Sequence, residues 1–157
     1  MVCSYDCAIK HANKKAEKEE RQHMKLRKEG LLTHSDWTQR LQKVFNSYIR
    51  KRDEGKPCIS CETILSGKFD AGHYFSVGAY PALRFHEDNV HGQCVHCNQH
   101  KHGNISEYSL RLPKRIGQRE FDELCAMRKE VRKYTIDEIK ELIQRYKTQT
   151  HNKHERD

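Results

Sequence analysis

The sequence predicts an α+β fold, a small stapled core carried between flanking helices. Two observations predict it. Two Cys-x-x-C pairs, Cys58–Cys61 and Cys94–Cys97, bracket 32 residues of strand-like pattern. On either side of them, apolar residues recur at helical spacing. Composition explains the staple: 35% of residues are hydrophobic and 33% charged, so apolar burial is modest, and cores of that kind are commonly reinforced by a metal.

The elements follow in order. Residues 1–34 read as a basic N-terminal arm. Its stretch 8–30 is rich in Lys and Glu, poor in apolar residues and closed by Gly30, which describes an exposed helix or a segment disordered on its own. Residues 35–147 read as the main domain. Its first helix, 35–53, takes Ser35 as N-cap and sets Trp37, Leu41, Val44, Phe45, Tyr48 and Ile49 on one face; that periodicity marks them as core rather than a base-stacking platform. Segment 56–105 is the zinc core. Segment 106–147 holds the remaining helices. One begins near Ser106 and breaks at Pro113. A second, within 118–133, carries Phe121, Leu124, Cys125 and Val131 as its stripe, and a third, 136–147, carries Ile139, Leu142, Ile143 and Tyr146. Thr135 with Glu138 spells a capping box for the third. Residues 148–157 lack periodicity and read as a flexible tail.

No apolar run is long enough for a bilayer and no signal-peptide pattern opens the chain. A cytoplasmic location with reduced thiols is therefore expected, with no membrane partner, and seven cysteines there point to metal rather than disulfides. The net charge of +8 is uneven: residues 1–55 carry +5 and 106–157 carry +3, while 56–105 are neutral and hold six of the eleven histidines. Basic flanks suit a polyanionic partner, and the neutral, His- and Cys-rich middle suits the site itself.

Four thiolates from two tight turns satisfy tetrahedral zinc completely. Cys58, Cys61, Cys94 and Cys97 thus predict one structural zinc that folds the domain and leaves no position for a reacting water. A redox role for either pair lacks the βαβ surroundings it would need. Any chemistry requires a second site. Between the pairs, Lys68–Tyr74 reads as a strand, followed by a loop with Gly78 and Pro81 and a second strand-like run, Leu83–Gln93. Asn98–His102 reads as the first turns of a helix stopped by Gly103.

Cys-x-x-C, a His at a strand end, Asn-Val, then Cys-x-x-Cys-Asn-x-x-Lys resembles the HNH nuclease motif on a treble-clef, or ββα-metal, zinc scaffold. The string FDAGHY, the run from LRF to CNQHK and the later RIGQ resemble, over residues 36–146, the NinG (Rap) recombination endonucleases of lambdoid phages. That resemblance implies structure-specific cleavage of branched DNA, such as Holliday junctions and D-loops, in the cytoplasm of a phage-infected or prophage-bearing bacterium. It makes His73 the general base, since a neutral imidazole takes a proton near working pH. It makes Asp70 and Asn98 oxygen ligands for a hard catalytic cation, magnesium or manganese. Asn89 becomes the residue that ties the hairpin loop. Common HNH enzymes place the acid directly before the base; here Gly72 stands there, and His91 and His102 are the alternative ligands. Arg84, Lys101 and His100 read as phosphate contacts, and His86 and His96 as polar surface or the same.

Cys3 and Cys7 resemble the second half of an additional zinc finger of longer family members; the first half is missing, so no zinc is expected there in a monomer. Symmetric cutting of a junction would suit a homodimer. Two other functions compete: a non-catalytic zinc-dependent DNA-binding module, which would not need His73, and a treble clef that binds protein.

Overall fold

A computed structural model describes residues 5–151, with side chains from Cys7 onward. The chain divides into two compact units, Met1–Asp36 and Trp37–Asp157. In the first, helix α1 (Tyr5–Gly30) is exposed along almost its whole length and ends at Gly30. Lys15 pairs with Glu19 at 3.9 Å one turn on, a contact that contributes little in water. Ile9, Met24, Leu26 and Leu31 are exposed, so no continuous apolar stripe is buried. Cys7 sits in the first turns of α1, and Cys3 lies outside the described residues.

Helix α2 (His34–Asp53) is capped two residues earlier than expected. Thr33, not Ser35, is the cap. The Asp36 N–H donates to Thr33 Oγ1 at 3.2 Å, and the Thr33 N–H donates to Asp36 Oδ2 at 2.9 Å, a reciprocal capping box. Trp37, Leu41, Phe45 and Ile49 then fall every fourth residue onto the buried face, with Val44 and Tyr48 at its margins. Phe45 meets Tyr146 edge-on at 5.0 Å and Phe85 at 5.8 Å. The last residue of that face is the buried Asp53. Its carboxylate takes Arg52, Lys56 and the Gly92 N–H, while Arg52 also donates to the carbonyls of Glu87 and Val90. Burial alone would raise the Asp53 pKa; its hydrogen bonds and the Arg52 charge outweigh that and hold it well below the carboxylate range. The end of α2 is thereby pinned to the next strand.

Strands β1 (Phe69–His73) and β2 (Val90–Cys94) form a two-stranded antiparallel sheet, with Phe69 opposite Cys94 and His73 opposite Val90. Such a hairpin is marginal alone. Phe69 and Leu65 pack it against Cys58 and Cys97. The second strand is shorter than the run 83–93: Pro81–Leu83 and Glu87–Asn89 form 3-10 turns instead. Proline at the first position starts the former, and the His86 ring caps the latter by accepting the Asp88 N–H. Helix is likewise scarce after Cys97. His96–His100 make one π-type turn, because Lys101 N–H reaches back to His96 O at 3.0 Å and the chain then turns left-handed.

Helix α3 (Ile105–Ile116) runs through Pro113 instead of breaking there. Proline removes only its own N–H bond, and burial of Tyr108 and Leu112 with Ile59, Leu83 and Leu124 holds the turn until Gly117, at φ +103°, ends it. Helix α4 (Gln118–Ala126) is shorter than 118–133: Met127–Lys129 tighten to a 3-10 turn and Val131 is 88% exposed, off any stripe. Val131 lies a heptad after Leu124, so the sequence period continued where the helix did not. Helix α5 (Ile136–His151) starts at the expected capping box, with Thr135 N–H donating to Glu138 Oε2 at 2.7 Å. It buries Ile139, Ile143 and Tyr146 and passes residue 147, where the tail was expected; the Thr148 and Thr150 hydroxyls bond back to carbonyls four residues earlier. Residues 152–157 lie outside the described residues. The architecture is α+β with helices dominant. No helix of the described residues is long and apolar enough to cross a membrane.

Candidate functional site

Cys58 and Cys61 occupy the turn after α2, where Cys58 N–H donates to Thr63 O at 2.8 Å and Glu62 adopts a positive φ. Cys94 ends β2 and Cys97 is the second residue of the π-type turn. The four Sγ atoms lie within 4.8 Å of one another. Cys61 and Cys94 approach to 3.7 Å, close to the edge of about 3.75 Å of a tetrahedron with zinc–sulfur bonds of about 2.3 Å. Backbone N–H groups of Cys94 and Cys97 donate to Cys58 and Cys94 sulfurs at 3.4 Å, and Asn104 Nδ2 approaches Cys97 Sγ at 3.6 Å, donors suited to thiolate charge. These four residues are positioned to bind a metal ion and fit one structural zinc. Among the described residues no other group of three or more His, Cys, Asp or Glu is close enough to do so.

Beside this centre lies an open cavity of about 580 Å³, bordered by His73, Tyr74, Phe75, Asn98, His102 and Ile105. His73 Nε2 is 3.0 Å from the Arg84 carbonyl oxygen. A carbonyl only accepts, so Nε2 carries the hydrogen and Nδ1 keeps its lone pair. Burial pushes the His73 pKa below its ordinary 6.5; the carbonyl bond opposes that, and the Arg84 charge adds to it. The ring is therefore neutral at neutral pH with a basic nitrogen to offer.

Asn98 lines the cavity, but Asp70 does not. Three residues before His73 on a strand, Asp70 points to the opposite face. Asp70 Oδ2 accepts Asn98 Nδ2 at 3.0 Å and Gln99 Nε2 at 2.7 Å. Asp70 thus meets Asn98, the other expected ligand, from outside the cavity lining, and its carboxylate orients the Asn98 amide. Since the amide nitrogen must face a carboxylate, Oδ1 is the end of Asn98 left for the cavity.

Of the two alternative histidines, His102 borders the cavity and His91 does not. His91 is 4% exposed and its Nδ1 meets the Tyr108 hydroxyl at 3.2 Å. That hydroxyl donates to Gly72 O, so Nδ1 is the donor to it; burial depresses the His91 pKa to about 3. His102, Gly103 and Asn104 have φ of +49°, +87° and +44°. A left-handed run with two non-glycine residues is strained, and strain of this kind clusters at functional sites. Gly103 N–H donates to the carbonyls of Cys97 and Asn98 and its carbonyl accepts Gln93 Nε2, which ties the run to a metal-centre cysteine. Nothing local in the sequence signals the role of Gln93. Gly72 is the trace it leaves, since a Cβ there would overlap the Gln93 amide oxygen.

Asn89 is fully buried. It accepts the Phe75 N–H at 2.7 Å and donates to the carbonyls of Phe75 and Leu83, tying both ends of the loop. Arg84 is half-buried, donating to Gln42 Oε1 and lying over Phe85, with burial lowering its pKa. Lys101 and His100 are exposed next to the turn; neither lines the cavity.

The family model described as Bacteriophage Lambda NinG protein matches residues 1–156. The chain is 46% identical over 123 residues to Protein ninG of Escherichia phage lambda, covering 78% of this chain and 60% of that protein. Protein ninG of Salmonella phage P22 is 45% identical with the same shares, and that of Escherichia phage 933W is 44% identical, covering 78% and 61%. The chain spans about 60% of the length of these relatives. No solved structure matches it.

Proposed function

Because the chain belongs to the bacteriophage NinG family, we propose that it is a metal-dependent DNA endonuclease of HNH type, cutting branched recombination intermediates by phosphodiester hydrolysis. One observation carries the reading: a neutral imidazole with a free basic nitrogen, a carboxamide oxygen and a second imidazole border one cavity against a thiolate centre. His73 Nδ1 takes the proton of the attacking water as its oxygen bonds phosphorus. The bond to the 3′ oxygen breaks in line and that oxygen takes up a proton from solvent, leaving 5′-phosphate and 3′-hydroxyl ends. Asn98 Oδ1 and His102 would hold a cation of the magnesium or manganese class, which when bound neutralises charge on the scissile phosphate. The Arg84 carbonyl fixes the His73 tautomer, and Asp70 fixes the face that Asn98 presents. Zinc on the four thiolates has a separate, structural duty. The basic segments 1–55 and 106–157 supply sequence-independent grip on the DNA backbone. The branch preference, the host-cell cytoplasm and a dimer for symmetric cutting come from the family reading.

The test is a labelled four-way junction with magnesium or manganese, run beside linear duplex and single strand. Wild-type protein cuts the junction, and His73→Ala binds it without cutting. Binding without cutting in every divalent metal would leave the non-catalytic DNA-binding module instead.

A further inference from the structure

The cavity holds more aromatic surface than hydrolysis requires. Tyr74, Phe75 and Tyr80 border it together with His73. Their rings form a chain, Tyr74 to Phe75 at 4.6 Å between centroids and Phe75 to Tyr80 at 5.1 Å. All three are only half-buried, leaning on the core of Ile59, Leu83, Tyr108, Leu112 and Leu124. The wall is rigid. Buried Asn89 holds both the N–H and the carbonyl of Phe75, and Tyr74 N–H donates to Asn89 O at 2.8 Å. Arg128 covers one face of Phe75 at 5.4 Å, so a base would meet the wall at Tyr80 and the opposite face of Phe75, and a second open cavity, bordered by Tyr80, carries Arg128 and Lys129. Flat rings fixed beside a phosphodiester site, with guanidinium and ammonium groups leading away, match one ligand chemistry, a base with its flanking phosphates.

We propose that the Phe75–Tyr80 wall stacks one unpaired nucleobase next to the phosphate at His73, so that the substrate class is DNA with an unstacked nucleotide at the cut. The inference rests on the nuclease reading for the position of the phosphate but not for the stacking itself. In continuous duplex every base is already stacked and paired, and extracting one costs free energy that is least where the nucleotide is already unpaired. The wall therefore selects unpaired positions without reading sequence.

Three duplexes test it by fluorescence anisotropy on the full zinc-loaded chain carrying His73→Ala: one continuous, one with a single unpaired nucleotide, and one with that nucleotide abasic. The unpaired base tightens binding about tenfold over both others, the scale of one base on aromatic rings. Adding Tyr80→Leu or Phe75→Leu removes the gain while affinity for continuous duplex is unchanged and the protein stays folded with its zinc, and Tyr80→Phe restores it. Equal binding of the abasic and unpaired duplexes would mean that backbone flexibility is what is sensed, and would overturn the proposal. A gain that survives both Leu variants would do the same. In wild-type protein with magnesium, cutting maps beside the unpaired nucleotide. A stacking gain with no cutting would sink the nuclease reading alone, whereas cutting without the gain would sink this one alone.

Discussion

The thiolate centre and the cavity beside His73 meet at the Cys97–Asn104 turn, and they are built in opposite ways. The centre is closed and local: one turn, the end of β2 and the turn after it contribute all four sulfurs, and neighbouring backbone N–H groups are their main donors. The cavity is open and assembled from distant carbonyls and amides. His73 depends on Arg84 O, Asn98 on Asp70, and the left-handed run at His102 on Gln93 and Cys97. Stability is concentrated in the first so that the second can remain strained and accessible. Breaking the first should therefore abolish both, and breaking the second should leave the first intact.

The largest effect follows from that asymmetry. Structural zinc contributes on the order of 10–16 kcal/mol, as much as or more than the roughly 5–15 kcal/mol by which a domain is stable. Chelation, or Cys94→Ser, should erase the thermal transition of unit Trp37–Asp157 and release zinc by elemental analysis. A Cys94→Ser protein that still melts cooperatively would show that the core stands without its metal. Next comes His73→Ala. Loss of a general base costs about 10²–10⁴-fold in cleavage, while losing the bond to Arg84 O costs only about 1 kcal/mol of stability. Smaller again is Asp70→Asn, which keeps the shape but gives Asn98 Nδ2 a neutral acceptor. Orienting partners of this kind are worth about 10- to 100-fold, so cleavage falls and half-saturation by magnesium rises, with zinc content unchanged. If neither moves, Asn98 is oriented by something else.

These two regions also differ in how far they can be read from sequence. The zinc centre is legible because ligand type and spacing encode it directly at Cys58, Cys61, Cys94 and Cys97. The faces of α2 and α5 and the Thr135 capping box are legible for the same reason, being local periodicities and local hydrogen bonds. Thr33 and Ser35 are both good caps by residue type, and only the reciprocal bond to Asp36 separates them. Val131 and Pro113 misled because period and propensity are weak against tertiary packing. The cavity was legible in its residue types, with His73, Asn98 and His102 all in the expected string. Their division of labour was not. That Asp70 faces away, that His91 is sealed against Tyr108, and that residues 102–104 turn left-handed all depend on partners between 10 and 36 residues away.

The sealed His91 gives the smallest effect and a clean separation of structure from chemistry. Its folded pKa, about 3, lies below the ordinary histidine value of 6.5. A histidine depressed in this direction resists protonation when folded and accepts it when unfolded. Above pH 6.5 it costs nothing; as pH falls towards 3 the unfolded chain binds a proton that the folded chain refuses, and stability declines. At pH 5.5, one unit below the unfolded value, the loss is about 1.4 kcal/mol. Thiolate protonation and the similarly depressed His73 act in the same sense, so the comparison must be differential. His91→Leu removes the titration, and the Tyr108 hydroxyl retains Gly72 O. Urea unfolding at pH 7.5 and 5.5, in saturating zinc, should give a drop in the wild type that exceeds the variant's by about that amount. The acid limb of cleavage should stay where His73 sets it in both proteins. An equal drop in wild type and variant would mean that His91 is hydrated rather than sealed. A shifted acid limb would mean that the two histidines are not separate parts, one structural and the other, on the proposed reading, chemical.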